Sequence, residues 1–123
     1  MKGFQIGQSA TAKRRFTEAD VAEFHGLAGG VRPQGYEATI PGPLIGAIFS
    51  YLLGTELPGY GTNYLKQSLT FLAPAYPDEE LTATVEVTRL RPEKELVNLR
   101  TVCINSRGEV ICAGEALVLV RDV

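Results

Sequence analysis

The stretch PLIGAIFSYLL, residues 43 to 53, decides the fold of this chain. Pro43 suits the first turn of a helix, where its missing N–H would lack a partner in any case. Gly54 follows as a helix-ending signal. Apolar side chains fall on nearly every side of this helix, and a helix that is apolar all round is buried all round. The rest of a small domain must therefore wrap around it.

The residues that follow the helix alternate in polarity, as strands with one buried face do. Residues 63 to 72 are predicted to place Leu65, Leu69 and Phe71 on one face. Residues 81 to 90 alternate in the same way. Their expected buried face is formed by Leu81, Ala83, Val85 and Val87.

Two further strands, residues 96 to 104 and 109 to 120, flank the turn signal Ser106-Arg107-Gly108 and predict a hairpin. A two-residue turn at Arg107-Gly108 would place Cys103 directly opposite Cys112. Disulfides are uncommon in reducing compartments, so both cysteines are interpreted as small core residues with free thiols.

The residues before the apolar helix predict an extended segment, a short helix and a loop. Residues 4 to 16 are extended, and Thr17 is predicted to be a helix N-cap. Val21, Phe24 and Leu27 follow at helical spacing. Gly29-Gly30 is expected to end this helix, and residues 30 to 42 form the loop.

These elements predict one α+β domain spanning residues 1-123, with an antiparallel sheet curled around one buried helix. This is the hotdog arrangement. A single copy leaves a sheet edge and part of the loop face uncovered, so two copies are expected to pair edge to edge.

Composition excludes several functional classes. The net charge of -2, with no basic stripe, argues against a nucleic-acid partner. The longest apolar stretch, residues 40 to 53, is too short for a bilayer crossing. Residues 1 to 6 lack the apolar region of a signal peptide. The two cysteines are too few for a disulfide framework and lack zinc-site spacing. A cytoplasmic protein without metal or cofactor is the expectation.

The order and spacing of several segments resemble the MaoC-like, (R)-specific enoyl-CoA hydratase branch of hotdog proteins. The resemblance covers about residues 7 to 120. It is carried by GQSATAKRRFTEADVAEF (7 to 24), LIGAIFSYLLGTELPGYGTNYLKQSLTFLAPAY (44 to 76), DEELTATVEVTRLR (78 to 91) and GEALVLV (114 to 120). The part from Leu57 to Pro74 is the most specific.

The resemblance implies that the substrate is a trans-2-enoyl thioester of CoA or acyl carrier protein. Water adds across its double bond to give an (R)-3-hydroxyacyl thioester, or leaves it in the reverse reaction. In the family, the motif Gly-Asp-x-Asn-Pro-x-His supplies the Asp and His that move protons. A later His-Gly pair opens the buried helix, and the N–H of that Gly holds the thioester oxygen.

This chain departs from the family in the motif that carries the family's catalytic residues. The corresponding stretch reads GGVRPQG, residues 29 to 35, so Gly30 and Gly35 stand at the Asp and His positions. In an alternative alignment the motif is deleted outright. Both alignments remove the dyad, and Pro41-Gly42 replaces the His-Gly pair. The single histidine, His25, lies in the first helix and is interpreted as a surface residue.

Glu37 and Gly42 are the candidate catalytic residues. Glu37 lies in the remodelled loop, where an apolar pocket would raise its pKa and suit it to a base role; a solvated loop acid is the alternative. The Gly42 N–H could donate to a thioester carbonyl with help from the helix dipole. A glycine required for the backbone turn before Pro43 is the alternative there.

Arg32, Tyr36 and Ser50 are the candidate substrate-binding residues. Arg32 could bind a CoA phosphate or a substrate carboxylate, or remain solvated. Tyr36 could donate a proton or pack. Ser50 matches a serine of the family helix near the acyl pocket, or its hydroxyl could bond back to a carbonyl one turn earlier.

Two functional classes remain open. One is a hydratase or dehydratase-type enzyme acting on acyl thioesters through an atypical active site. The other is a non-catalytic acyl-thioester-binding protein, or the inactive partner of a catalytic hotdog subunit. The first expects a replacement base such as Glu37, in a homodimer. The second expects a second hotdog chain, in a heteromer, to supply the missing Asp and His.

Overall fold

The computed structural model describes residues 4–27, 39–59 and 62–120. In chain order its elements are β1 (Ser9–Arg15), α1 (Glu18–Leu27), α2 (Gly42–Thr55), β2 (Thr62–Phe71), β3 (Glu80–Arg91), a 3-10 turn (Pro92–Lys94), β4 (Leu96–Ile104) and β5 (Val110–Val120). The five strands of the described residues form one antiparallel sheet in the order β1-β3-β4-β5-β2.

The core lies between α2 and one face of this sheet. From α2 it takes Ile45, Ile48, Phe49, Leu52 and Leu53. The predicted face of β3 is confirmed, with Leu81, Ala83, Val85 and Val87 buried. Alternate residues of β4 and β5 continue the same layer. The α+β hotdog arrangement expected from the sequence is the observed one.

The expectation that α2 is buried on all sides is wrong for this chain by itself. Pro43, Ala47, Ser50 and Tyr51 are exposed, and Tyr51 retains 56% of its accessible surface. The sheet covers one side of the helix, so the opposite apolar side faces outward. No helix in the described ranges has the length and hydropathy to cross a bilayer.

Helix α2 also runs past Gly54, which the sequence assigned as its end. The backbone N–H groups of Glu56 and Leu57 both bond the carbonyl of Leu52, at 2.9 Å each. Gly59 adopts a φ of 97° and donates to the carbonyl of Leu53 at 3.0 Å. Because a later residue supplies the left-handed conformation, Gly54 is an ordinary residue of the last turn.

The predicted N-cap of α1 is confirmed and is reciprocal. The Asp20 N–H donates to Oγ1 of Thr17 at 3.1 Å, and the Thr17 N–H donates to Oδ2 of Asp20 at 2.9 Å. Two backbone donors at the helix start are thereby satisfied. Val21 is fully buried and anchors α1 to the core.

Cys103 pairs with Cys112 across β4 and β5 as predicted, but the turn differs. The Asn105 N–H bonds the Glu109 carbonyl at 3.0 Å, so three residues rather than two form the turn. A register shift follows between Cys103 and Ile104. The additional turn residue and the shift compensate, which restores the predicted pairing. Both thiols are free and buried.

The two thiols predict a loss of stability in alkaline solution. Burial raises the pKa of Cys103 to about 12, with the facing Cys112 adding to the shift, and raises the pKa of Cys112 to about 11. The unfolded chain releases both protons near the ordinary value of 9.0. The stabilisation is therefore complete below pH 9 and declines as the pH rises toward 12.

We expect the unfolding free energy to fall by ~2 kcal/mol between pH 8 and pH 10 through these thiols. Urea unfolding at both pH values measures the fall. A Cys103→Ala, Cys112→Ala double variant serves as control, because its pH dependence lacks this contribution. Equal pH dependence in the two proteins would contradict the assignment.

Strand β2 forms an edge of the sheet, with a bulge that the sequence did not reveal. Its pairing with β5 shifts between Tyr64 and Lys66. Because Leu65 is the additional residue, the alternation predicted for residues 63 to 72 breaks there, and 54% of Leu65 is exposed. Phe71 is also half exposed. The strand therefore presents apolar side chains along an unpaired edge.

Candidate functional site

The first turn of α2 provides an N–H group suited to binding an oxyanion. Pro41 precedes the helix in an extended conformation, and no side chain caps the helix start. The Pro41 carbonyl accepts from the Leu44 N–H at 3.1 Å. No described residue accepts from the Gly42 N–H. This donor lies at the positive end of a 14-residue helix, a position that favours anions.

A close side-chain approach explains why residue 42 is a glycine. Gly42 does not adopt a positive φ, so the alternative of a glycine required by the backbone turn is wrong. A Cβ at this position would lie 3.0 Å from Cζ of Phe71. The Phe71 ring therefore packs directly over the helix start.

The side of α2 that faces β2 includes Gly46 as well as Gly42. A Cβ on Gly46 would lie 3.9 Å from Cδ1 of Leu69. Leu69 and Phe71 thus form an apolar wall beside the first turn of the helix. A thioester carbonyl at the Gly42 N–H would have an apolar surface next to it.

Ser50 lies about two turns beyond Gly42 on α2 and is exposed. No hydrogen bond joins its hydroxyl to a described residue, so the back-bond to the preceding turn is not formed there. The hydroxyl is free to meet a ligand or a second chain. Its substrate-binding role stays a prediction.

The loop candidates lie outside the described residues. Arg32, Tyr36 and Glu37 fall between residues 28 and 38, as do Gly29-Gly30 and the end predicted for the first helix. Their assignments stay predictions.

A cavity of about 570 Å³ opens on the other side of α2, against β1. Ala47, Ile48 and Tyr51 contribute from the helix, and Lys13 and Arg14 contribute from the strand. Tyr51 is therefore a cavity residue. Sequence analysis did not assign this site. The basic cluster Lys13-Arg14-Arg15 was the sequence signal that could have indicated this site.

The described residues contain little other reactive chemistry. No three His, Cys, Asp or Glu side chains in these ranges converge as a metal site would require. The raised pKa values of Cys103 and Cys112 keep both thiols protonated at neutral pH, so neither is an activated nucleophile. The helix start at Gly42 remains the strongest candidate within these ranges.

Several known proteins that are similar to this chain are named as enoyl-CoA hydratases or 3-hydroxyacyl dehydratases. The chain is 38% identical to the (R)-specific enoyl-CoA hydratase of Aeromonas caviae, over 95% of this chain and 96% of that protein. It is 40% identical to the (R)-specific enoyl-CoA hydratase of Rhodospirillum rubrum, over 93% of this chain and 86% of that protein.

The solved structure of the A. caviae (R)-hydratase involved in PHA biosynthesis superimposes with a TM-score of 0.90. The match has 36% identity and covers 98% of this chain and 99% of that one. No protein-family model matches the chain.

The fold and the sequence relatives together define a hotdog protein of the hydratase and dehydratase type. The chain belongs to the (R)-specific enoyl-CoA hydratase family, which its sequence segments resemble.

Proposed function

We propose that this protein adds water to a trans-2-enoyl thioester, or removes it from an (R)-3-hydroxyacyl thioester, with CoA or acyl carrier protein as the thioester carrier. The chain is proposed to act as a single domain spanning residues 1-123. The observation that carries the proposal is the N–H of Gly42, which has no acceptor among the described residues and lies at the start of a helix in a family of enoyl-thioester hydratases.

The Gly42 N–H is suited to the negative charge that develops during hydration. When hydroxide adds to C3 of the enoyl chain, the electron pair moves toward the thioester oxygen. The dipole of α2 and the N–H of its first residue stabilise that oxygen most strongly when its charge is greatest. The apolar wall of Leu69 and Phe71 lowers the local dielectric and strengthens this interaction.

Glu37 is the proposed base. Its carboxylate would take a proton from water as the hydroxyl bonds to C3, and the resulting carboxylic acid would then return that proton to C2 of the enolate. The assignment rests on the position of Glu37, five residues before Gly42 in the sequence. Arg32, Tyr36 and Ser50 are the proposed substrate contacts.

We expect Glu37→Gln to lower the hydration rate of crotonyl-CoA by about 100-fold or more, because the amide cannot accept the proton from water. Loss of enoyl-thioester absorbance measures the rate, with a longer trans-2-enoyl-CoA run in parallel. Glu93→Gln, an exposed substitution in the turn after β3, is the matched control. Equal turnover in all three proteins would remove Glu37 from the mechanism.

A binding or partner role is the second candidate, and the exposed edge of β2 favours it. Leu65 and Phe71 are half exposed there, and Leu72 beyond the strand is 61% exposed. An apolar sheet edge of this kind is a pairing surface. A second hotdog chain on it could bring the Asp and His that this chain lacks.

We propose a homodimer through β2 as the resting assembly, and a heteromer under the second candidate. Native mass spectrometry of the purified chain separates the two. A dimer with turnover supports the enzyme, whereas turnover that appears only with a second hotdog chain supports the partner role. The free thiols Cys103 and Cys112, which face each other without bonding, support a reducing, cytoplasmic location.

A further inference from the structure

The cavity between α2 and β1 has the features of a second ligand site. Its volume of about 570 Å³ lies within the range of small-molecule pockets. We propose that it binds a medium-chain carboxylate, with the aliphatic chain against α2 and the carboxylate at Arg14. This inference does not depend on thioester hydration at Gly42.

The walls of the cavity suit an aliphatic chain. Leu44, Ile48 and Leu52 line it from α2, and Phe16 closes it from the residue after β1. Ile48, Leu52 and Phe16 are at most 6% exposed, so these walls are fixed parts of the core. A chain bound there would remove the outward apolar side of α2 from water, which is favourable in proportion to the area covered.

Arg14 provides a positioned cation at one end of the cavity. Its Cζ lies 5.2 Å from the centroid of the Phe16 ring, and this cation–π contact orients the guanidinium. Among the described residues no carboxylate forms an ion pair with Arg14. The neighbouring Lys13 meets Glu80 at 4.0 Å, an exposed pair that holds it weakly. An incoming carboxylate therefore finds an arginine without an acidic partner, and Arg binds carboxylates in a two-point geometry.

The charged residues around the cavity favour one orientation of the bound ligand. Arg14 and Leu44 also border a smaller adjoining pocket of about 200 Å³, so Arg14 lies toward the first turn of α2. Glu56, which also lines the larger cavity, follows the last turn of the helix. The anionic end of a ligand is attracted toward Arg14 and repelled from Glu56. Two carboxylates, Asp20 and Glu23, border the smaller pocket. That of Asp20 is engaged by the Thr17 N–H, and that of Glu23 forms no ion pair with Arg14 among the described residues.

The proposed site and the Gly42 site lie on different sides of α2. Gly42 and Gly46 face β2 through Phe71 and Leu69. Ala47 and Tyr51 line the cavity against β1. A carboxylate bound against β1 and a thioester at Gly42 are therefore expected to bind independently.

Isothermal titration with decanoate, below its aggregation concentration, tests the proposal. We expect one binding site per chain, with decanol binding about tenfold more weakly because it lacks the charge. Arg14→Gln is expected to weaken decanoate about tenfold and to leave decanol unchanged. Arg89→Gln, which removes an exposed arginine from β3 outside the cavity, is the matched control.

Ala47→Trp separates the new site from the thioester site. Its indole would fill the cavity from an exposed helix position, and we expect decanoate binding to disappear while crotonyl-CoA binding and turnover persist. Circular dichroism verifies that the variant is folded. Absence of decanoate binding to the unaltered protein would overturn the proposal, as would competition between decanoate and crotonyl-CoA for one site.

Discussion

Gly42→Pro is expected to lower thioester hydration about 100- to 1000-fold relative to Gly42→Ala. Both variants place a Cβ at residue 42, and that atom meets the Phe71 ring at 3.0 Å in each. The proline also removes the backbone N–H. Because proline is well tolerated in the first turn of a helix, the backbone of α2 can accept it. The rate ratio of the two variants therefore reports the loss of this N–H together with the ring carbon that proline puts in its place.

The steric effect of the new Cβ is controlled by a second substitution. Phe71→Leu, combined with each variant, shortens the side chain over the helix start. We then expect Gly42→Pro to lower the single-turnover rate more than it lowers the affinity for substrate, because the oxyanion forms during the reaction. Equal rates for the proline and alanine variants would exclude Gly42 as the donor.

Gly114→Ala is expected to destabilise the fold by about 4 kcal/mol or more. Gly114 lies on β5 opposite Leu69 of β2, and a Cβ there would come within 2.8 Å of the backbone carbon of Ser68 and closer still to its oxygen. A side chain can avoid such a contact by changing its rotamer, but the backbone atoms of a paired strand cannot. Strand β2 would have to separate from β5, which removes the edge of the sheet and the Phe71 contact to Gly42.

Gly54→Ala is the matched comparison for this prediction. No atom lies within 4 Å of a Cβ at Gly54, and the residue occupies the last turn of α2. We expect this change to stabilise the protein by about 0.5 to 1 kcal/mol, because alanine favours a helix more than glycine does. Urea unfolding of both variants measures the contrast. Similar midpoints would show that β2 and β5 tolerate the additional carbon.

Local chemistry allowed the sequence to predict the elements whose signals lie within a few residues. Thr17 and Asp20 specify the start of α1 through hydrogen bonds to each other. The alternation in β3 specifies its buried face because side chains in a strand point to opposite sides. The fold class followed from these signals and from the apolar residues of α2.

Features that depend on distant contacts could not be predicted in the same way. The bulge at Leu65 arises from the pairing between β2 and β5, and the sequence of β2 contains no signal that predicts it. The length of α2 depends on Gly59, which lies beyond Gly54, the predicted end of the helix. At Gly42 the sequence suggested a backbone turn as one reason for the glycine, whereas the contact that a Cβ would make there is with Phe71, which is far away along the chain.

The cavity against β1 was missed for a related reason. Arg14 and Phe16 are close in sequence, but Leu44 and Tyr51 reach them only after α2 has packed on the sheet. A cluster of basic residues on an edge strand usually indicates a solvated surface. When an apolar helix lies beside the strand, the same cluster can instead form the charged end of a ligand cavity.

The strand order has a consequence for synthesis of the chain. Strands β3, β4 and β5 pair with their sequence neighbours, whereas β1 and β2 join the sheet at its two edges and pair with later strands. Helix α2 therefore leaves the ribosome before the strands that cover it. Local hairpins form readily, so the meander of β3 to β5 is the natural platform on which the earlier half docks. Until that platform is complete, the most apolar segment of the protein lacks most of the sheet that buries it and is exposed to aggregation.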